Sequence, residues 1–319
     1  WQVAWADEFT ARMHRAGLIP VGRTTTSEFG LLGTTETIAA GQTCSPWRGD
    51  IMAGGSSGGA GSVVGAGIVP IAGASDGGGS IRIPAALCGV VGLKVTHGRV
   101  SLAGVTPLAP SLDTVGPIAG TVADAAAVYE AIAGDDSLDP WAAPEPVRPA
   151  GEPRDPSTVA IGIPKQWMRA PADRITREAF HAAIERLVGA GVSVETVDEP
   201  ALAIHEAAAL ATSAEVFHAH RERWDRDADR YGRDVAARLR KAAGVGLDSV
   251  IDAMVWDAGA RHALNRMLTR FDVLITPTVG SSRKVIGRAD MDVDGEHIFH
   301  RLVLAQNTWP VNRVGNPAL

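Results

Sequence analysis

Lysine, cysteine and aromatic residues are all scarce. Phe, Trp and Tyr together make up 5% of the 319 residues, and there are 2 cysteines. Cys44 and Cys88 cannot staple a chain of this length and do not form a CxxC pair, which predicts reduced thiols and a cytoplasmic protein. The only lysines are Lys94, Lys165, Lys241 and Lys284. Long basic runs are missing and the net charge is −6, which argues against nucleic acid as a partner. No apolar stretch free of charge and glycine reaches membrane-spanning length, so no membrane association is expected. Trp1-Gln2-Val3-Ala4 lacks the basic region and apolar core of a secretory signal. Disorder is excluded by 45% hydrophobic against 21% charged residues.

Glycine is abundant, at 36 residues, and crowds between Gly54 and Gly104. Around this region the pattern alternates strands and helices, which predicts an α/β fold in one domain over residues 1–319. Helices are expected over 4–17 (Trp5, Phe9, Met13 and Leu18 on one face), 60–67, 121–133 with Thr121 as cap, 173–191, 201–225, 233–243 and 247–270. Strands are expected at Ile19–Gly22, Ile68–Ala74, Val90–Val95, Thr158–Ile163, Val192–Val197 and Asp272–Thr276. The run of tiny residues 60–67 predicts a helix packed very closely on a sheet. The Pro-rich segment 134–157 reads as a surface excursion, because alternation continues on both sides.

Two Gly/Ser blocks flank one apolar strand: Gly54-Gly-Ser-Ser-Gly-Gly59 and Asp76-Gly-Gly-Gly-Ser80. Successive glycines let backbone N–H groups turn inward together as a nest of donors. Such a nest steadies an oxyanion that exists only in a transition state of acyl transfer. Ser80, at its end, is placed to attack the carbonyl whose oxygen the nest holds. Its hydroxyl needs a base, and Ser56 or Ser57 can relay the proton, since a hydroxyl both donates and accepts.

These blocks, with Leu87–Lys94 (LCGVVGLK), resemble the amidase signature family of serine amide hydrolases. Gly22–Gly30 (GRTTTSEFG), Asp113–Pro117 (DTVGP), Asp272–Pro277 and Asn312–Leu319 (NRVGNPAL) are similar to further family motifs, so the resemblance covers nearly the whole chain. It implies a mixed central sheet with helices on both faces and a Ser–cisSer–Lys triad without cofactor or metal. Ser80 matches the nucleophile, and Ser56 the serine that bonds it through a cis peptide. Gly77, Gly78 and Gly79 match the oxyanion donors, and Ser57, Asp76 and Arg82 supporting positions. The family's lysine base would fall before Trp1, and Lys94 matches a structural stretch. The chain therefore reads as an internal piece of a longer amidase, short at both ends and inactive without its base. The substrate class is a small-molecule amide, and a homodimer is compatible with the sequence.

Other readings compete. Gly55–Gly59 satisfies GxSxG, which would make Ser57 a nucleophile with His218, His220 or His262 in a Ser–His–Asp triad. The resemblance also extends to a partner-dependent amidotransferase subunit. His297 and His300 near Asp290, Asp292 and Asp294 form a weaker metal pattern, in which the alternating acids read as a solvated loop. Cys88 reads as a buried filler. Trp256, Trp309 and Phe217 are candidates for a substrate pocket or for ordinary core.

Overall fold

The computed structural model describes residues 7–319. The first helix, α1, spans Glu8–Arg15, and Asp7 caps it by accepting from the Thr10 N–H at 2.8 Å. Phe9 is buried and Met13 packs beside it, while Trp5, expected on the same face, lies outside the described residues. The strand expected at Ile19–Gly22 does not form. Ile19 and Val21 are 85% and 80% exposed on unpaired chain, because no neighbouring edge is there to receive them. Four short strands follow: Glu36–Thr37 (β1) pairs with Gly41–Gln42 (β2), and Cys44–Ser45 (β3) with Arg48–Met52 (β4).

Next come helix α2 (Gly58–Gly65), strand β5 (Ile71–Asp76), helix α3 (Arg82–Cys88), and strands β6 (Val91–Gly92) and β7 (Thr114–Ala119). The last three strands named form an antiparallel sheet in the order β5-β7-β6. Side chains alternate across it. Ala72, Ala74 and Ile118 pack with Ala60 and Val64 of α2, whereas Ile71 and Val115 pack with Phe9 of α1. Val128 and Ile132 join the second group from helix α4 (Val122–Ile132), which Thr121 caps as expected. Helices therefore cover both faces. The tiny residues of α2 are there for proximity. A Cβ on Gly59 would overlap the Thr25 backbone, and one on Gly61 would sit 3.0 Å from the Pro84 carbonyl oxygen.

After the irregular segment 134–157, strand β8 (Ala160–Pro164), helix α5 (Arg174–Gly189) and strand β9 (Ser193–Val197) make a parallel βαβ unit. Helices α6 (Glu206–Asp227), α7 (Arg233–Ala242) and α8 (Leu247–Met267) follow. Strand β10 (Val273–Leu274) then returns beside β8, giving the order β10-β8-β9. The acids expected in a solvated loop sit in a hairpin, β11 (Asp290–Val293) and β12 (Glu296–Phe299). Met291 and Val293 alternate with Asp290 and Asp292 and are buried, and Asp294-Gly295 turns the chain with φ of 54° and 92°. Two short helices, α9 (His300–Leu304) and α10 (Trp309–Val314), bring the chain back to the glycine-rich region. The chain thus has the expected α/β fold with mixed strand directions.

Gly59→Ala should lower stability by about 1–3 kcal/mol, because the added methyl group forces α2 off the Thr25 backbone. Gly189→Ala, with nothing within 4 Å of the new Cβ, should be neutral or slightly stabilising in the same thermal melt.

Candidate active site

The loop Gly77–Ser80 joins β5 to α3, and the last residue of β5 sets its shape. Asp76 is fully buried. Its Oδ1 accepts from the Gly79 N–H at 2.7 Å and its Oδ2 from the Ile81 N–H at 3.1 Å, which curls the loop around the carboxylate. Arg82 donates Nε and Nη2 to the two carboxylate oxygens, each at 3.0 Å. From α10, Asn312 Nδ2 donates to Oδ1 at 2.9 Å. Arg82 also donates to the Thr308 carbonyl at 2.9 Å and to Asn312 Oδ1 at 2.6 Å. Thr308 Oγ1 donates to the Gly78 carbonyl at 2.8 Å. Every polar group around Asp76 is therefore answered.

The expectation for Gly79 needs correction. Its N–H is spent on Asp76, so this residue fixes the loop rather than facing a ligand. It must still be glycine, since φ is 124° and a Cβ would overlap Thr308 Oγ1. The N–H groups of Gly77, Gly78 and Ser80 have no acceptor among the described residues.

The Gly55–Ser56 peptide is cis. Ser56 is 2% and Ser80 9% exposed, and both line a cavity of about 260 Å³ with Gly77 and Asp113. Neither hydroxyl has a hydrogen-bond partner among the described residues. Ser80, Gly77 and Gly78 also border a larger cavity of about 720 Å³. Ser57 is different. Its Oγ donates to the Ser75 carbonyl and accepts from the Ser75 N–H, both at 3.3 Å, and its own N–H donates to the Ser80 carbonyl at 3.3 Å. It staples the two blocks together.

The Ser57-centred triad therefore fails on geometry. Ser57 is bound to strand β5, and none of His218, His220 and His262 lines the smaller cavity. His218 and His262 are exposed, and His220 is buried with its Nδ1 3.0 Å from the Tyr231 hydroxyl. The metal pattern also dissolves: Asp290 pairs with Arg288, Asp294 with Arg177, and Asp292 accepts from the Gly295 N–H. Among the described residues no group of His, Cys, Asp and Glu could hold a metal ion. Cys88 is fully buried, and burial pushes its thiol up to about 12. Trp309 lines the larger cavity, Trp256 stacks behind it at 6.2 Å, and Phe217 belongs to the core around Leu31.

Three contributors escaped sequence reasoning as individuals. Thr308 carries no motif. Thr114 Oγ1 donates to the Asp76 carbonyl at 3.1 Å, and its partner is visible only once β5 and β7 pair. Asp113 is the third, and its charge is the unusual one. Burial, with Glu215 and Asp76 adding repulsion, pushes its carboxyl up to about 7 against the help of two backbone N–H groups. Asp76 goes the other way: burial opposes its charge, but Arg82 and Asn312 hold it well below the usual carboxylate range. Lys94, with no exposure, donates Nζ to the Val95 and Asn316 carbonyls at 2.8 Å each and is pulled down to about 7, first by burial and then by Arg82. Neither Lys94 nor any other lysine lines the cavity that holds Ser56.

Known proteins share this chain's fold. The family model described as Amidase matches residues 6–319. A glutamyl-tRNA(Gln) amidotransferase subunit from Thermobifida fusca (strain YX) is 32% identical, covering 100% of this chain and 69% of that protein. A solved chain from a vestigial protein complex, tied to the evolutionary origins of an s-triazine catabolic enzyme, is 32% identical with a TM-score of 0.89. The match covers 98% of this chain and 68% of that one. The structure of 6-aminohexanoate cyclic dimer hydrolase complexed with substrate gives a TM-score of 0.84 at 27% identity, over 99% of this chain and 70% of that chain. The chain belongs to the amidase signature family, a family of amide-hydrolysing enzymes. Among the described residues no helix is long and apolar enough to cross a membrane.

Arg82→Met leaves the Asp76 charge buried and unpaired, and should destabilise by about 3–5 kcal/mol in chemical denaturation. Asp113→Asn should act through pH. The Asp113 carboxyl, raised by burial with added repulsion from Glu215 and Asp76, titrates near 7 when folded but near 4 when unfolded, so the native state binds the extra proton between those values. Stability from this group falls as pH rises across that window. The variant should therefore gain melting temperature relative to the parent at about pH 8 and lose that gain at about pH 4.

Proposed function

We propose that the chain carries the acylation centre of an amidase that hydrolyses a carboxylic amide to acid plus ammonia or amine. The observation behind this reading is the pairing of two unbonded hydroxyls, Ser56 and Ser80, on one cavity beside the free N–H groups of Gly77, Gly78 and Ser80. Ser80 Oγ forms a bond to the carbonyl carbon as its proton passes to Ser56, whose own proton moves to a base. The carbonyl π electrons settle on oxygen, where the loop donors hold them. Collapse expels the amine with a proton returned through the same relay. Water then repeats the sequence on the ester and frees the acid. The base belongs to the lysine that the family places upstream of Trp1, outside this chain. It must be neutral to accept the proton.

The larger cavity supplies room for a small-molecule amide. Leu31, Leu112, Val216 and Trp309 give it apolar walls, and Arg238 and Arg301 bring positive charge. A second reading has one specific support, the similarity to a glutamyl-tRNA(Gln) amidotransferase subunit: the same centre would then work beside partner chains. Turnover of a simple amide by the isolated full-length polypeptide decides against it.

Ser80→Ala should lower amide hydrolysis by about 10⁴-fold or more and abolish labelling by a fluorophosphonate, read by peptide mass spectrometry. Labelling retained at Ser57 would overturn the assignment. Residues 1–319 alone should be almost inactive, and full turnover by them would show that the base lies elsewhere.

A further inference from the structure

The two cavities meet at Ser80 but differ in size and in what they offer. Ser80, Gly77 and Leu108 line both. Ser56 lines only the smaller, of about 260 Å³, whereas Gly78 and Trp309 line only the larger, of about 720 Å³. This division sets the direction of a bound amide. With Ser80 as nucleophile, the departing nitrogen takes its proton through Ser56, so it must stand on the Ser56 side when the C–N bond breaks. The acyl group, on the other side of the carbonyl carbon, is left to the larger cavity. Trp309 is the large side chain nearest the loop on that wall. Its Cβ lies 3.7 Å from where a Cβ on Gly78 would be, so it starts at contact distance from the loop. The residue is also fixed from behind. Trp309 opens α10 one position after Thr308, whose hydroxyl holds the Gly78 carbonyl at 2.8 Å. It packs on alanines of α6 and α8 and beside Trp256, whose Nε1 donates to the Ala203 carbonyl at 2.8 Å. An indole wall held in this way favours a flat ring over an aliphatic chain of equal area, because paired rings gain electrostatically as well as by burial.

We propose that the larger cavity receives the acyl group and that Trp309 selects it, so that the preferred substrates are amides joining a ring-bearing aromatic acid to ammonia or a small amine. Trp309 is then a specificity-determining residue, and the bulk of the substrate belongs on the carbonyl side of the scissile bond. This inference rests on the Ser80 reading and deepens it.

The test sets 2-naphthamide against N-(2-naphthyl)acetamide, which carry one ring on opposite sides of the amide. With the full-length polypeptide, kcat/KM for 2-naphthamide should exceed that for the acetamide by about a hundredfold or more. Trp309→Ala should lower the ratio of 2-naphthamide to propanamide turnover by about tenfold or more, mainly through KM, and Trp309→Phe should restore most of it. A variant that merely folds less well lowers both amides alike and leaves that ratio unchanged. Equal or reversed preference between the two naphthyl amides, or an unchanged ratio in Trp309→Ala, overturns the proposal. Calorimetry of 2-naphthamide on the full-length Ser80→Ala variant gives a readout without turnover. Saturable binding is expected there, weakened about tenfold when Trp309→Ala is added, and absence of binding overturns the proposal. Turnover of no amide by the parent, with that binding intact, leaves Trp309 as the wall that binds the ring and sinks the hydrolytic reading instead.

Discussion

One buried carboxylate organises the centre of this protein. Asp76 ends a strand, receives the N–H groups of Gly79 and Ile81, and is neutralised by Arg82 and braced by Asn312. A charge without solvent is costly unless its partners are complete, and removing one of them is worse than never having the pair. That asymmetry makes the loop rigid. With its second turn tied to Asp76, the remaining N–H groups of Gly77, Gly78 and Ser80 are left pointing elsewhere without having to be ordered by a ligand. Preorganised donors of this kind stabilise developing charge with little reorganisation.

The same sheet carries a second acid in a contrasting state. Asp76 faces Thr114 across the β5–β7 ladder, and Asp113 is the next residue along. Both are buried, yet Arg82 meets one and, among the described residues, no cation pairs with the other. Their carboxyl groups accordingly move in opposite directions, Asp76 down and Asp113 up to about 7. Two neighbouring carboxyls are thus held in opposite states by what surrounds them.

Much of this was legible in the chain, for reasons that differ by element. The tiny residues of α2 announced close packing because only glycine and alanine permit it, and Thr121 announced a helix start through its own hydroxyl. Ile19–Gly22 misled because apolarity says nothing about whether an edge is available. The β11–β12 hairpin hid behind its acids, although Met291 and Val293 kept a period of two beneath them and Asp294-Gly295 is a strong turn pair. At the site, Ser56, Ser80, Asp76 and Arg82 stood out through two Gly/Ser blocks and a family resemblance. The role of Gly79 did not, since the direction of one N–H depends on a side chain three residues back. Thr308 was invisible, for a threonine acquires meaning only from what lies 230 residues away.

That distance bears on how the centre holds together. Asn312 reaches Asp76 across a sequence separation of 236 residues, and Thr308 takes one arm of Arg82 across 226. The glycine loop is local in sequence, but its conformation is not locally determined. Glycine has the widest backbone freedom, so four residues rich in it would sample many shapes if left alone. Here the Thr308 hydroxyl holds the Gly78 carbonyl, and its bulk leaves no room for a side chain at Gly79. The loop is thus a flexible segment closed from outside by α10 and the turn before it. The loop keeps this shape only while the distant end of the chain is packed in place, because Arg82 and Asn312 tie Asp76 to that packing.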